Sequence, residues 1–166
     1  MDYFGDLLTA YRDKGLLLDS NVLLLLIVGG CDRSRIVGFE RTAMFTEAEF
    51  DLLVNIVGRF KTVVTTPHIL TEVSNLLGEL PKDFHDAYFL FFGGIVPMLD
   101  EHYTRSRELA WRDSLPKFGL TDTAIIEDSR DKYLVLTSDA RLYGYLVGLG
   151  IDAINFNHIR GPDLIS

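Results

Sequence analysis

From residue 16 to residue 156, short apolar runs alternate with amphipathic helical patterns, and this alternation constrains the fold more than any other feature of the chain. Leu16 to Asp19, Thr62 to Thr66, Leu134 to Thr137 and Asp152 to Phe156 read as strands, rich in leucine or β-branched residues. Helices are expected over Asp2 to Lys14, with Phe4, Leu7, Leu8 and Tyr11 on one face, and from about Asn21 to a stop at Gly29-Gly30. Another runs from the capping box Thr46-Glu47-Ala48-Glu49 to about Arg59, and the next starts at Pro67 after a Thr66 cap and ends near Leu77. Further helical patterns cover Phe84 to Phe92, Met98 to Trp111, Leu120 to Ser129 and Ala140 to Leu149, whereas residues 31–45 are irregular and polar. Parallel strands need crossover connections, which helices supply. The pattern therefore predicts an α/β class, a three-layer α/β/α fold around a central, mostly parallel sheet.

The 166 residues suit one domain, 1–166, and 48% apolar residues supply its core. The longest apolar run, Val22 to Val28, is far short of the roughly 20 residues a bilayer demands and reads as a buried helix. Cys31 is the only cysteine, so no intrachain disulfide can form, and a cytoplasmic location is expected.

Open α/β sheets bind ligands beyond the carboxyl ends of their strands. Four acids fall there: Asp19 after Leu16-Leu17-Leu18, Glu72 in the helix after the second strand, Asp122 at the start of a helix, and Asp139 after Leu134 to Ser138. Each alone has an ordinary explanation. Asp19 and Asp139 are good N-caps, and Asp122 complements a helix dipole. Glu72 and Asp122 each sit beside apolar neighbours, where a carboxylate without a partner is costly, and no lysine or arginine is well placed in either helix. Together the four would repel one another by about 4 kcal/mol per pair at 4 Å and an effective dielectric near 20. A Mg²⁺ or Mn²⁺ ion relieves that repulsion and takes carboxylate oxygens as ligands.

The order Asp19-Ser20-Asn21, Glu72, Thr121-Asp122-Thr123-Ala124 and Thr137-Ser138-Asp139 resembles the PIN-domain ribonucleases over nearly the whole chain. The resemblance implies a PIN-like fold and a metal-dependent endoribonuclease. Asp19, Glu72, Asp122 and Asp139 would be the metal ligands and catalytic groups, supported by Asn21, Thr137 and Ser138. It further implies an RNA substrate, a homodimer, and the kind of role many family members play as the toxin of a toxin–antitoxin pair, blocked by a partner protein. The N-terminal helix, about residues 2–14, and residues 31–45 are additions to the compact toxin form.

A net charge of −8 sits oddly with an anionic substrate. Two basic groups offset it: Arg33, Arg35 and Arg41 after the first apolar helix, and Arg105, Arg107 and Arg112 around Trp111. Such arginines can grip phosphates and a tryptophan can stack a base; the ordinary alternative is a solvated helix face with a buried Trp. His68 could share a helix face with Glu72, but no His-Glu-x-x-His zinc signature, Gly-rich phosphate loop or Gly-x-Ser-x-Gly elbow is present. Two other classes compete. A haloacid-dehalogenase-type phosphatase would need an acid where Asn21 stands, and a non-catalytic binding module would have no use for four acids.

Overall fold

The computed structural model describes residues 2–161; Met1 and residues 162–166 of the expected domain lie outside the described residues. One five-stranded sheet is built from β1 (Leu16–Leu18), β2 (Val63–Thr65), β3 (Asp100–Glu101), β4 (Leu134–Thr137) and β5 (Ala153–Asn155). Its order is β3-β2-β1-β4-β5 and every neighbouring pair is parallel, with Leu16 opposite both Val63 and Leu134. The central strands are buried on both faces, which is why β1 and β4 read as unbroken apolar runs rather than alternating ones.

The chain winds outward from β1 through β2 to β3, then crosses back to β4 and β5. The helices α2 (Ser20–Cys31), α3 (Glu47–Val57), α4 (Pro67–Leu77) and α5 (Lys82–Ile95) belong to the first half, and α2 packs on the other three. α6 (Ser106–Leu109), α7 (Leu115–Ser129) and α8 (Ala140–Gly148) belong to the second half, where α7 packs on α6, α8 and β4. Right-handed crossovers in opposite directions put the two sets on opposite faces. α1 (Tyr3–Tyr11) leans on β4, and its Tyr11 hydroxyl donates to Asp152 at 2.6 Å, just before β5. A last turn of helix, α9 (Phe156–Ile159), follows β5.

α2 is apolar on almost every side and lies buried between the sheet and α3 to α5. Gly29-Gly30 does not end it. The helix continues to Cys31, and a Cβ on Gly29 would sit 2.3 Å from the Phe50 ring, while one on Gly30 would sit 2.8 Å from Phe91. These glycines let α3 and α5 approach. The expected helix over Met98 to Trp111 is also corrected. A 3-10 turn at Val96–Met98, the strand β3 and the four-residue α6 occupy most of that stretch. β3 is an exposed acidic dipeptide with no apolar pattern to announce it. It forms because the β2 backbone has a free edge, and the register continues to His102 N–H on Thr65 C=O at 2.9 Å. Finally, α7 is broken at Gly119, whose φ of 79° and ψ of −176° separate Leu115–Phe118 from the regular helix after it. Among the described residues no helix is long and apolar enough to cross a membrane.

Two glycine substitutions test this packing. Gly29→Val should lower thermal stability by about 2 kcal/mol through overpacking against Phe50. Gly93→Ala, within α5 and with open space around it, should be neutral or stabilising by up to about 1 kcal/mol. Differential scanning calorimetry of both variants checks the contrast, and equal effects would contradict it.

Candidate metal centre

Asp19, Glu72, Asp122 and Asp139 all line one cleft of about 170 Å³, together with Ser20, Asn21, Leu76 and Phe118. The cleft lies over the carboxyl ends of β1 and β4, where the winding direction reverses. That is the place an α/β sheet offers a ligand.

Asp19 directly follows β1 and is 5% exposed. It caps α2 by accepting from Val22 N–H at 2.9 Å through Oδ1. Its Oδ2 accepts from Ser138 N–H at 3.0 Å and from the Thr137 hydroxyl. Burial pushes its pKa up; those three donors oppose the rise without cancelling it, and the Asp139 charge adds to it. Thr137 thus links two of the acids, since its oxygen also accepts from Asp139 N–H at 2.9 Å. Ser138 supports the acid through its main chain rather than its hydroxyl, while its carbonyl accepts from Asn157 at 2.7 Å. Asn21 is exposed at the rim.

Glu72 reaches the cleft from α4. Its apolar sequence neighbours predict a near-core position that requires a cation; the structure corrects this. Its side chain is exposed and carries two hydroxyl partners, Ser20 at 2.7 Å and Thr121 at 2.6 Å. Those two residues join α2, α4 and α7 through one carboxylate, a role that no motif in the sequence announces. The only signal was a hydroxyl residue beside each of Asp19 and Asp122. Asp139 caps α8, accepting from Arg141 N–H at 2.8 Å and Leu142 N–H at 3.0 Å.

Asp122 is the acid the others act upon. Burial first, then the charges of Asp19, Asp139 and Glu72, push its carboxyl up to about 7. This is the mutual repulsion that a divalent cation would relieve. An all-oxygen, multiply acidic donor set fits Mg²⁺ or Mn²⁺. As the side chains stand, no three His, Cys, Asp or Glu groups among the described residues are arranged to hold a metal ion. Asp19, Glu72 and Asp139 are turned toward protein donors instead, so a shared ion would require side-chain rotation.

The expected phosphate contacts divide. Arg33 pairs with Asp51 at 2.6 Å, Arg41 pairs with Glu79 through two bonds at 2.5 and 3.0 Å, and Arg35 lies 3.8 Å from the centre of the Phe84 ring. They follow the far end of α2, about 18 Å along the helix from Asp19 at 1.5 Å per residue, and the structure does not bring them to the cleft. Arg105 and Arg107 are exposed. Trp111 is 90% exposed, so the alternative of a buried core Trp does not hold. His68, on the first turn of α4, does not line the cleft.

Comparison with protein-family models, with curated proteins and with solved structures finds no match for this chain.

The raised Asp122 pKa fixes a sign. The folded carboxyl holds its proton more tightly than the unfolded one, so it costs no stability below about pH 4; the cost grows with pH and is complete above about 7. In chelator, Asp122→Asn should be more stable than the parent near pH 8 by on the order of 1–2 kcal/mol, after discounting for the screening of a half-buried group. Urea unfolding across pH should show that gain shrinking toward about pH 4; a pH-independent difference would contradict the assignment.

Proposed function

We propose that the protein is a Mg²⁺- or Mn²⁺-dependent endoribonuclease of PIN-like design, hydrolysing phosphodiester bonds in single-stranded RNA. The observation that carries this reading is the meeting of four sequence-distant carboxylates in one cleft at the switch point of a parallel sheet. RNA as the substrate comes from the order of the Asp-x-Asn, Glu, Asp and Thr-x-Asp elements.

Asp19, Glu72, Asp122 and Asp139 would hold the cation. When bound, it would acidify a water molecule and neutralise phosphate oxygens. The chain's own groups do the positioning. Three donors hold Asp19 at the cleft, and its carboxylate would turn from some of them to share an ion. Ser20 and Thr121 hold Glu72 at the cleft through neutral hydroxyls, which leave its charge uncancelled. Asp122, raised to about 7, is partly protonated near neutrality and would lose that proton as positive charge approaches. Leu76 and Phe118 close one side with apolar surface, which limits water and strengthens the local field.

RNA cleavage with Mn²⁺ is the test. Chelator should abolish it. Asp19→Asn, which retains a capping side chain, and Asp122→Asn should each reduce it by at least about a hundredfold, with circular dichroism confirming a folded protein. Parental activity in either folded variant would reject the proposed roles.

A further inference from the structure

Among the described residues five of the 16 lysines and arginines are ion-paired: Arg33 with Asp51, Arg41 with Glu79, Lys61 with Asp13, Arg112 with Glu127 and Arg160 with Glu49. Two beside the cleft are held differently. The Arg141 guanidinium, two residues past Asp139, lies 4.8 Å from the centre of the Phe118 ring. The Lys117 ammonium lies 5.5 Å from the centre of the Tyr145 ring. Among the described residues neither has a carboxylate partner within ion-pair distance. A ring face holds a cation in place and leaves its charge uncancelled.

The two rings themselves pack with centroids 4.8 Å apart. Phe118 lines the acid cleft, and Tyr145 lines a separate groove of about 400 Å³ against α7 and α8. One aromatic pair thus divides cleft from groove, with a free cation at each ring. The groove carries Arg112 and Arg130 and also two acids, Asp113 and Glu127. Arg112 pairs with Glu127 at 3.3 Å, and Arg130 donates to Leu149 C=O at 2.9 Å. The groove's own lining is thus balanced, two cations to two carboxylates, and the uncancelled positive charge is that of Lys117 and Arg141 at the ring pair. Trp111, the residue before the groove-lining Arg112, presents its side chain to solvent.

We propose that this surface is the track along which single-stranded RNA reaches the acids, an inference that rests on the nuclease reading above. Lys117 and Arg141 grip the phosphates flanking the cleft, and the exposed Trp111, beside Arg112 of the groove, stacks an unpaired base. The charge complementarity is local, which is how an acidic protein can recruit a polyanion. A paired duplex has its bases already stacked and has no base to offer Trp111, so single strands are favoured.

The test is fluorescence anisotropy of a labelled oligouridylate, with the full chain in chelator so that the RNA stays intact. Lys117→Glu with Arg141→Glu should weaken binding at least about tenfold and flatten the salt dependence by about 1.4 in log–log slope, two single-strand phosphate contacts. Trp111→Ala should weaken binding by about tenfold and leave that slope unchanged. The control, Arg12→Glu with Arg59→Glu, makes the same charge change at a groove between α1 and the end of α3 and should stay within about twofold of the parent. If the glutamate pair proves unfolded, Lys117→Gln with Arg141→Gln should move both readouts in the same direction. Equal weakening by the track and control pairs, or parental affinity in the track pair, would overturn the proposal. If the track pair still cleaves RNA with an unchanged KM, the track falls while the nuclease reading stands. If the parent neither binds nor cuts RNA, both fall.

Discussion

A buried carboxylate at the end of β1 fixes both the scaffold and its cleft. Three donors from two segments offset part of the cost of burying the Asp19 carboxylate there: Val22 at the head of α2, and Thr137 and Ser138 at the end of β4. Its own N–H donates to Leu136 C=O at 3.1 Å, extending the β1–β4 register to the residue itself. An unpaired charge at that depth would cost several kcal/mol, so the β1–β4 pairing and the start of α2 are coupled through one side chain. The proposed ligand and a fold-bearing interaction coincide at this point.

The other acids are tuned by contrast. Glu72 is held by hydroxyls and Asp139 by main-chain amides, while Asp122 is left to feel the rest. An ammonium or guanidinium in the place of Ser20 or Thr121 would have oriented Glu72 equally well and neutralised it. Neutral donors leave the negative charge of Glu72 uncancelled, and that charge adds to the burial that first raises the Asp122 pKa. Stability is given up here in exchange for a field that attracts cations.

Local signals were legible wherever their cause is local. The Thr46 and Glu49 capping box forms both of its bonds, at 3.1 and 2.8 Å, and Thr66 caps a helix that opens on Pro67. β1 and β4 show as apolar runs because burial on both faces demands them. What failed to show has its cause elsewhere in the chain. Gly29 looks like a helix stop until Phe50, on another helix, supplies the reason for it. β3 has no pattern of its own and depends on the edge that β2 offers. The four acids were legible by their order, whereas Ser20 and Thr121 acquire meaning only when three helices converge. Arg33, Arg35 and Arg41 lie near Asp19 in sequence, yet an intervening helix carries them to the opposite end of the molecule.

The break in α7 has a consequence for the mouth of the cleft. Phe118 and Asp122 would belong to one continuous rod if residue 119 adopted helical angles, and the ring would then point along a different azimuth. Gly119 sits at φ 79°, a torsion that side chains rarely tolerate, although nothing crowds the space a Cβ would fill. The aromatic jamb and the acidic floor of this doorway are thus angled by a single main-chain torsion, and a methyl group at that one position would bend the entrance without touching any residue that lines it.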